Sequence, residues 1–170
     1  ASVYLTTPIE DRAQAVGGAL DAVQGIAMFS APLDEMQRAA AGPLPQVEAF
    51  LSRWVERLEQ EPHAGDDGGR ARDRWLREAV LLLEGVAGLE RIARKTRRPE
   101  SLQAWCEALV ARREWAEALR AYDEAAALAG EPEWRGAFLD GAALAARELG
   151  RPDAATRLEA AWLGAPSLVR

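Results

Sequence analysis

Leu102–Pro132 reads LQAWCEALVARREWAEALRAYDEAAALAGEP. From Trp115 onward the close-packing residues Ala118, Leu119, Tyr122, Ala125, Ala126 and Ala129 recur at the spacing of one helical face. Glu114, Glu117, Arg120, Asp123 and Glu124 occupy the other side. Leu102, Trp105, Cys106 and Leu109 repeat the same spacing upstream, so the stretch predicts two helices joined by a tight turn near Arg113.

A fainter copy follows. Ala154, Leu158, Ala161 and Pro166 match Ala118, Tyr122, Ala125 and Gly130 at a shift of about 36 residues, while Gly141 and Leu144 match Cys106 and Leu109 at about 35. The copy therefore carries a one-residue irregularity near Gly150.

In these positions Glu100 to Pro166 resembles a pair of tetratricopeptide repeats: Trp105 as bulky residue and Cys106 as small residue of a first helix, then Trp115, Ala118, Tyr122 and Ala125 in a second. It departs where a glycine normally makes the inter-helix turn, because Arg113 stands there. It departs again where a closing proline is expected, because Gly130 precedes Pro132. The resemblance implies an all-α chain of antiparallel helix pairs stacked as a right-handed α-solenoid, preceded by an amino-terminal helical bundle segment. It also implies a non-enzymatic scaffold that binds a protein or peptide in a groove walled by the first helix of each pair. That wall would hold Gln103, Glu107, Val110, Phe138 and Ala142. Gln103 and Glu107 do not reproduce the Lys, Asn and Arg clamp with which the chaperone-binding subclass holds a terminal carboxylate, so a basic or amphipathic segment is the better fit.

The 170 residues amount to one domain's worth of chain, 49% hydrophobic and 28% charged, which excludes wholesale disorder. Ala, Leu, Glu and Arg dominate, while isoleucine is limited to Ile9, Ile26 and Ile92, a balance that favours helix. A net charge of −6 argues against a generic phosphate-backbone binder and ranks nucleic acid last among partners. The single cysteine, Cys106, permits no intrachain disulfide. No apolar run is long enough for a membrane span and no secretory leader is present, so a soluble, cytoplasmic protein is expected. The chain opens on Ala1 and stops shortly after Pro166, where another helix would begin, so a piece of something longer is expected; the repeat resemblance implies part of a larger bacterial-type assembly or regulator.

Taken in order, residues 1–6 are expected to be extended, with Thr7-Pro8-Ile9-Glu10 as a capping box opening a helix that runs to about Ser30. Gly17, Gly18 and Gly25 within it mark close contacts or kinks. A short helix, Leu33 to Ala41, and a firmer one, Gln46 to Gln60, follow; the apolar set of the second is Val47, Phe50, Leu51, Trp54, Val55 and Leu58. Residues 62–69, rich in Gly and Asp, are expected to be a flexible loop that separates an amino-terminal segment, 1–61, from a repeat segment, 70–170. Between Arg70 and Arg98, Gly85 and Gly88 either divide the pattern into a helix pair or lie within one long helix. One long helix is the expectation.

No nucleophile motif, phosphate loop or metal-ligand set occurs, so no catalytic residue, cofactor or metal is assigned. His63 beside Asp66 and Asp67 falls short of a zinc site. Cys106 reads as a packed residue. Arg91, Arg94, Lys95, Arg97 and Arg98 form the one basic run, read as solvated cations at a helix carboxyl end in preference to a phosphate or acidic-peptide contact. Trp134 and Trp162 are the tryptophans expected at an interface. The alternative to a partner-binding scaffold is a homo-oligomerising domain in which such a face pairs with itself.

Overall fold

The computed structural model describes residues 1–23, 31–60 and 67–164, and among these the chain is helical with no strand. It divides into two compact units, Ala1–Gly85 and Val86–Arg170. The division does not fall in the loop expected at 62–69. It falls at Gly85, so the helix after that loop packs with the amino-terminal helices.

The first unit contains α1 (Ser2–Thr6), α2 (Ile9–Val23), α3 (Pro32–Ala39), α4 (Val47–Gln60) and α5 (Asp67–Glu84). Helix α4 buries five of the six residues that its periodicity selects, Val47 in its first turn staying exposed, and packs on α2 and α5. Residues 2–6, expected to be extended, form a short helix because Tyr4 is drawn fully into the core. A helix of five residues gains little from its own hydrogen bonds, so burial holds it. The Tyr4 ring meets Phe50 edge-on at 4.9 Å, and an aromatic chain continues from Phe50 to Trp54 and from Trp54 to Trp75. The Thr7 hydroxyl donates back to the Val3 carbonyl at 2.6 Å, closing α1.

Helix α3 starts on Ala31, whose side chain cannot cap. Glu78 of α5 does so instead, accepting the N–H groups of Leu33 at 3.2 Å and Asp34 at 2.9 Å. Burial raises the Glu78 carboxyl against the lowering effect of those donors. Residues 67–69, expected to be loop, already belong to α5. The rest of the expected loop, with His63 and Asp66, lies outside the described residues, as do Gly25 and the end of the helix expected to reach Ser30.

The long helix expected over 70–98 is broken. Gly85 takes φ +68°, a left-handed conformation open to glycine at no steric cost, and its N–H closes α5 onto the Leu81 carbonyl at 3.0 Å. The second unit follows as α6 (Val86–Thr96), α7 (Pro99–Ala111), α8 (Trp115–Leu128), α9 (Pro132–Glu148) and α10 (Ala154–Gly164). Each of these helices packs on the next, and α7 also touches α9. Of Pro99, Pro132 and Pro152, each expected at a helix start, the first two open α7 and α9 at the first helical position, while Pro152 lies in the turn before α10.

The turns after α7 and α9 have the same construction. After α7 the N–H groups of Arg113 and Glu114 return to the Val110 and Leu109 carbonyls, and after α9 those of Gly150 and Arg151 return to Arg147 and Ala146. The left-handed residue is Gly150 in the second turn, but Arg113, φ +58°, in the first. A small-residue core joins the helices: Cys106 and Leu109 of α7, Ala118, Ala121 and Ala125 of α8, and Ala142, Ala145 and Ala146 of α9. At the α8–α9 contact a Cβ on Gly141 would stand 2.3 Å from the Tyr122 ring. Gly17 is less tightly enclosed, a Cβ there standing 3.0 Å from the Arg57 side chain and 3.2 Å from Trp54, whereas Gly18 faces open space.

Gly141→Ala is therefore expected to destabilise the chain by about 1–3 kcal/mol, because the Tyr122 ring must move. Gly18→Ala, in the middle of α2 with nothing to displace, is expected to stabilise it by about 1 kcal/mol. Urea unfolding of the two variants checks both signs.

Candidate functional site

The wall expected along α7 is only partly a surface. Gln103 and Val110 are half-buried and Glu107 is exposed, with the Gln103 amide donating to Glu107 at 2.6 Å. Phe138 and Ala142, expected to continue that wall, are 2% and 1% exposed. They hold α9 against its neighbours and offer nothing to a partner. Tyr122 stands half-buried near Cys106 and Glu107, and burial pushes its hydroxyl up to about 12.

The basic run is divided by structure. Arg91, Arg94 and Lys95 lie on α6; Arg97, φ +54°, closes that helix through its N–H to the Ala93 carbonyl; Arg98 is the residue from which α7 starts. Arg94 turns to its own chain. Its Nε and Nη2 donate to the two carboxylate oxygens of Glu124 at 2.8 and 2.9 Å, and its Nη1 lies 2.6 Å from Glu90. Its guanidinium also lies 5.3 Å from the centre of the Trp105 ring. The Glu90–Arg94 pair follows from helical spacing. The Glu124 pair joins α6 to α8 and is not legible in the sequence.

Arg94 sits in a groove of about 370 Å³ formed by α6, α7 and α8. Trp105, Leu109, Val86, Ala87 and Ala121 supply its apolar lining, and Glu90, Glu114, Glu117 and Glu124 stand around it with Arg94 and Arg120. Four carboxylates against two guanidiniums leave the lining acidic. Arg120 pairs with Glu117 at 3.1 Å, and Arg112 reaches Glu114 at 2.6 Å. The hydrogen bonds from Arg94 hold the Glu124 carboxyl below the usual range, against the opposing effect of burial. With Arg94 51% exposed, solvent screening keeps this pair below about 1 kcal/mol.

The interface tryptophans differ. Trp134 is half-buried and stacked on Phe138 at 6.0 Å. Trp162 is 52% exposed and neighbours Leu158 at 46% and Leu163 at 84%. A cleft of about 500 Å³ opens between α9 and α10 beside Leu158, lined in part by Ala143, Leu144, Ala154 and Ala155.

Cys106 is fully buried, and desolvation pushes its thiol up to about 12, so it is a packing residue. Among the described residues no group of three or more His, Cys, Asp or Glu is placed to hold a metal ion, and no helix is long and apolar enough to cross a membrane. Comparison with protein-family models, curated proteins and solved structures gives no match.

Two outcomes are expected. Glu124→Gln lowers stability at neutral pH by less than about 1 kcal/mol. A carboxylate with a depressed folded pKa contributes stability above its ordinary value and loses it as pH falls through the depressed one. The difference from the parent should therefore vanish in acid, which denaturant melts at neutral and acid pH will show. Cys106 should resist a thiol reagent in the native chain and react at once in denaturant, as followed by thiol absorbance.

Proposed function

We propose that the chain is a non-enzymatic, cytoplasmic protein-interaction scaffold. In this reading its second unit is a short array of tetratricopeptide-like helix pairs that receives a basic or amphipathic segment of a partner. The groove between α6, α7 and α8 carries the proposal: an acidic rim over an apolar lining, in which one guanidinium, that of Arg94, already lies beside Trp105 between Glu90 and Glu124. At the rim a partner arginine would have to displace Arg112 from Glu114 or Arg120 from Glu117, both exposed pairs. Recognition of this kind steers association by charge, with Val86 and Ala87 as the open apolar contact, because Trp105, Leu109 and Ala121 are buried. Gln103, Glu107 and Val110 on the outer side of α7 form the second proposed contact.

The repeat reading is supported by the matching turns at Arg113 and Gly150, by proline at the start of α7 and α9, and by the small residues at Cys106 and Gly141.

Titration with designed amphipathic peptides of equal length, one arginine-bearing and one glutamate-bearing, tests the groove. The basic peptide should bind in a salt-sensitive manner and the acidic one should not. Glu117→Lys should weaken binding about tenfold or more, the equivalent of about 1.4 kcal/mol. Glu107→Lys separates the two walls, because it acts only if the segment also crosses α7. Equal binding of both peptides, or none, sinks the proposal.

A further inference from the structure

Each of the four carboxylates in the lining of the α6–α8 groove is already met by a guanidinium of the same chain. Arg112 reaches Glu114 at 2.6 Å, Arg120 reaches Glu117 at 3.1 Å, and Arg94 holds Glu124 at 2.8 and 2.9 Å and Glu90 at 2.6 Å. A cation from a partner therefore enters the groove by exchange. The three arginines differ in what they would leave behind.

Arg112 and Arg120 each make a single-nitrogen contact to a carboxylate two or three residues away, with their side chains largely in solvent. Such pairs follow from chain proximity and recognise little beyond charge. Arg94 and Glu124 lie 30 residues apart, and the fold has built a complete seat between α6, α7 and α8. The two oxygens of Glu124 accept from Nε and Nη2, Glu90 takes Nη1, and the Trp105 ring lies beneath with its centre 5.3 Å away. All three nitrogens are engaged over an aromatic floor, a pattern that an alkylguanidinium fills and an ammonium cannot.

The grip on Arg94 is nevertheless weak. Its side chain is 51% exposed, and an ion pair so open to solvent contributes little net stability. Trp105, by contrast, is 5% exposed and packed in the core of the unit. The floor of the seat is fixed, and its occupant is a long surface side chain.

We propose that Arg94 is a built-in occupant of a guanidinium site, and that an arginine of the partner segment binds by taking its place on Trp105 between Glu124 and Glu90. The proposal rests on the groove being the docking site of a basic segment. It adds that the segment is read by an arginine that lysine cannot replace, and that Arg94 restrains binding, since affinity falls with the fraction of chains whose seat is vacant.

Arginine-bearing and lysine-bearing peptides of equal length, titrated into the parent, Arg94→Ala and Arg120→Ala, test it. Arg120→Ala removes the same charge from the same groove and leaves the seat filled. Arg94→Ala should bind the arginine peptide about tenfold more tightly than the parent and gain at most about twofold for the lysine peptide, while Arg120→Ala gains at most about twofold for either. Circular dichroism should be unchanged in both variants, and Arg94→Gln should behave as Arg94→Ala does. A parent that binds the arginine peptide while Arg94→Ala binds it no better overturns the exchange and leaves the groove reading standing. Equal gains for the two peptides, or from the two substitutions, overturn it as well, as the mark of net charge alone. Failure of the arginine peptide to bind either the parent or Arg94→Ala overturns it together with the groove reading. Ethylguanidinium examines the seat without any peptide: it should move the Trp105 indole N–H resonance of Arg94→Ala and not of the parent, and ethylammonium should move neither. Absence of that movement overturns the site, even where the parent binds the basic peptide elsewhere.

Discussion

Between α8 and α9 there is no room for a methyl group on Gly141, because the Tyr122 ring occupies its place. This close approach governs the second unit. It lets the alanines of α8 and α9 reach one another with short side chains, and it seats Phe138 in the core under Trp134. Helix α10 then packs on α9, so the position of the α9–α10 cleft also follows from the contact at Gly141. Dense packing of small residues in place of large ones makes such an interface intolerant of added volume.

The first unit depends on a different device. Arg12 is buried, and its charge is met by carbonyl oxygens: Nε and Nη2 donate to Thr7, and Nη1 donates to Pro45, while the guanidinium lies over the Tyr4 ring. The Tyr4 hydroxyl donates to the same Pro45 carbonyl at 2.9 Å. One cation thus gathers the end of α1, the start of α2 and the approach to α4, each of which leaves backbone acceptors to be satisfied. Glu78 performs the complementary task with a carboxylate at the start of α3. In both places a long charged side chain from one helix completes the backbone of another segment.

Arg94 shows how tertiary structure reassigns a charge. In sequence it belongs to a basic run suited to a phosphate or an acidic peptide. In the fold Glu124 and Glu90 clasp it beside Trp105, and the surface around it becomes acidic.

Local sequence determined α7, α8 and α9 of the second unit and much of the first. The period of Phe50, Leu51, Trp54, Val55 and Leu58, the prolines opening α7 and α9, and the glycine at the turn after α9 are all set within a turn or two of helix, where spacing and φ preference act. Burial of Cys106 and the close packing at Gly141 were legible for the same reason, since both lie on the apolar stripe. Other features depended on neighbours distant in sequence. Tyr4 makes residues 2–6 helical only because Phe50 and Arg12 receive it. Two glycines stood within the pattern from Arg70 to Arg98, but only Gly85 became a break, while Gly88 stayed buried within α6. The repeat resemblance set Phe138 and Ala142 in a groove wall, and the helices packed around α9 turned them inward. Spacing assigns residues to a face of a helix; only the tertiary structure decides which face is covered, because that depends on which other helix reaches it first.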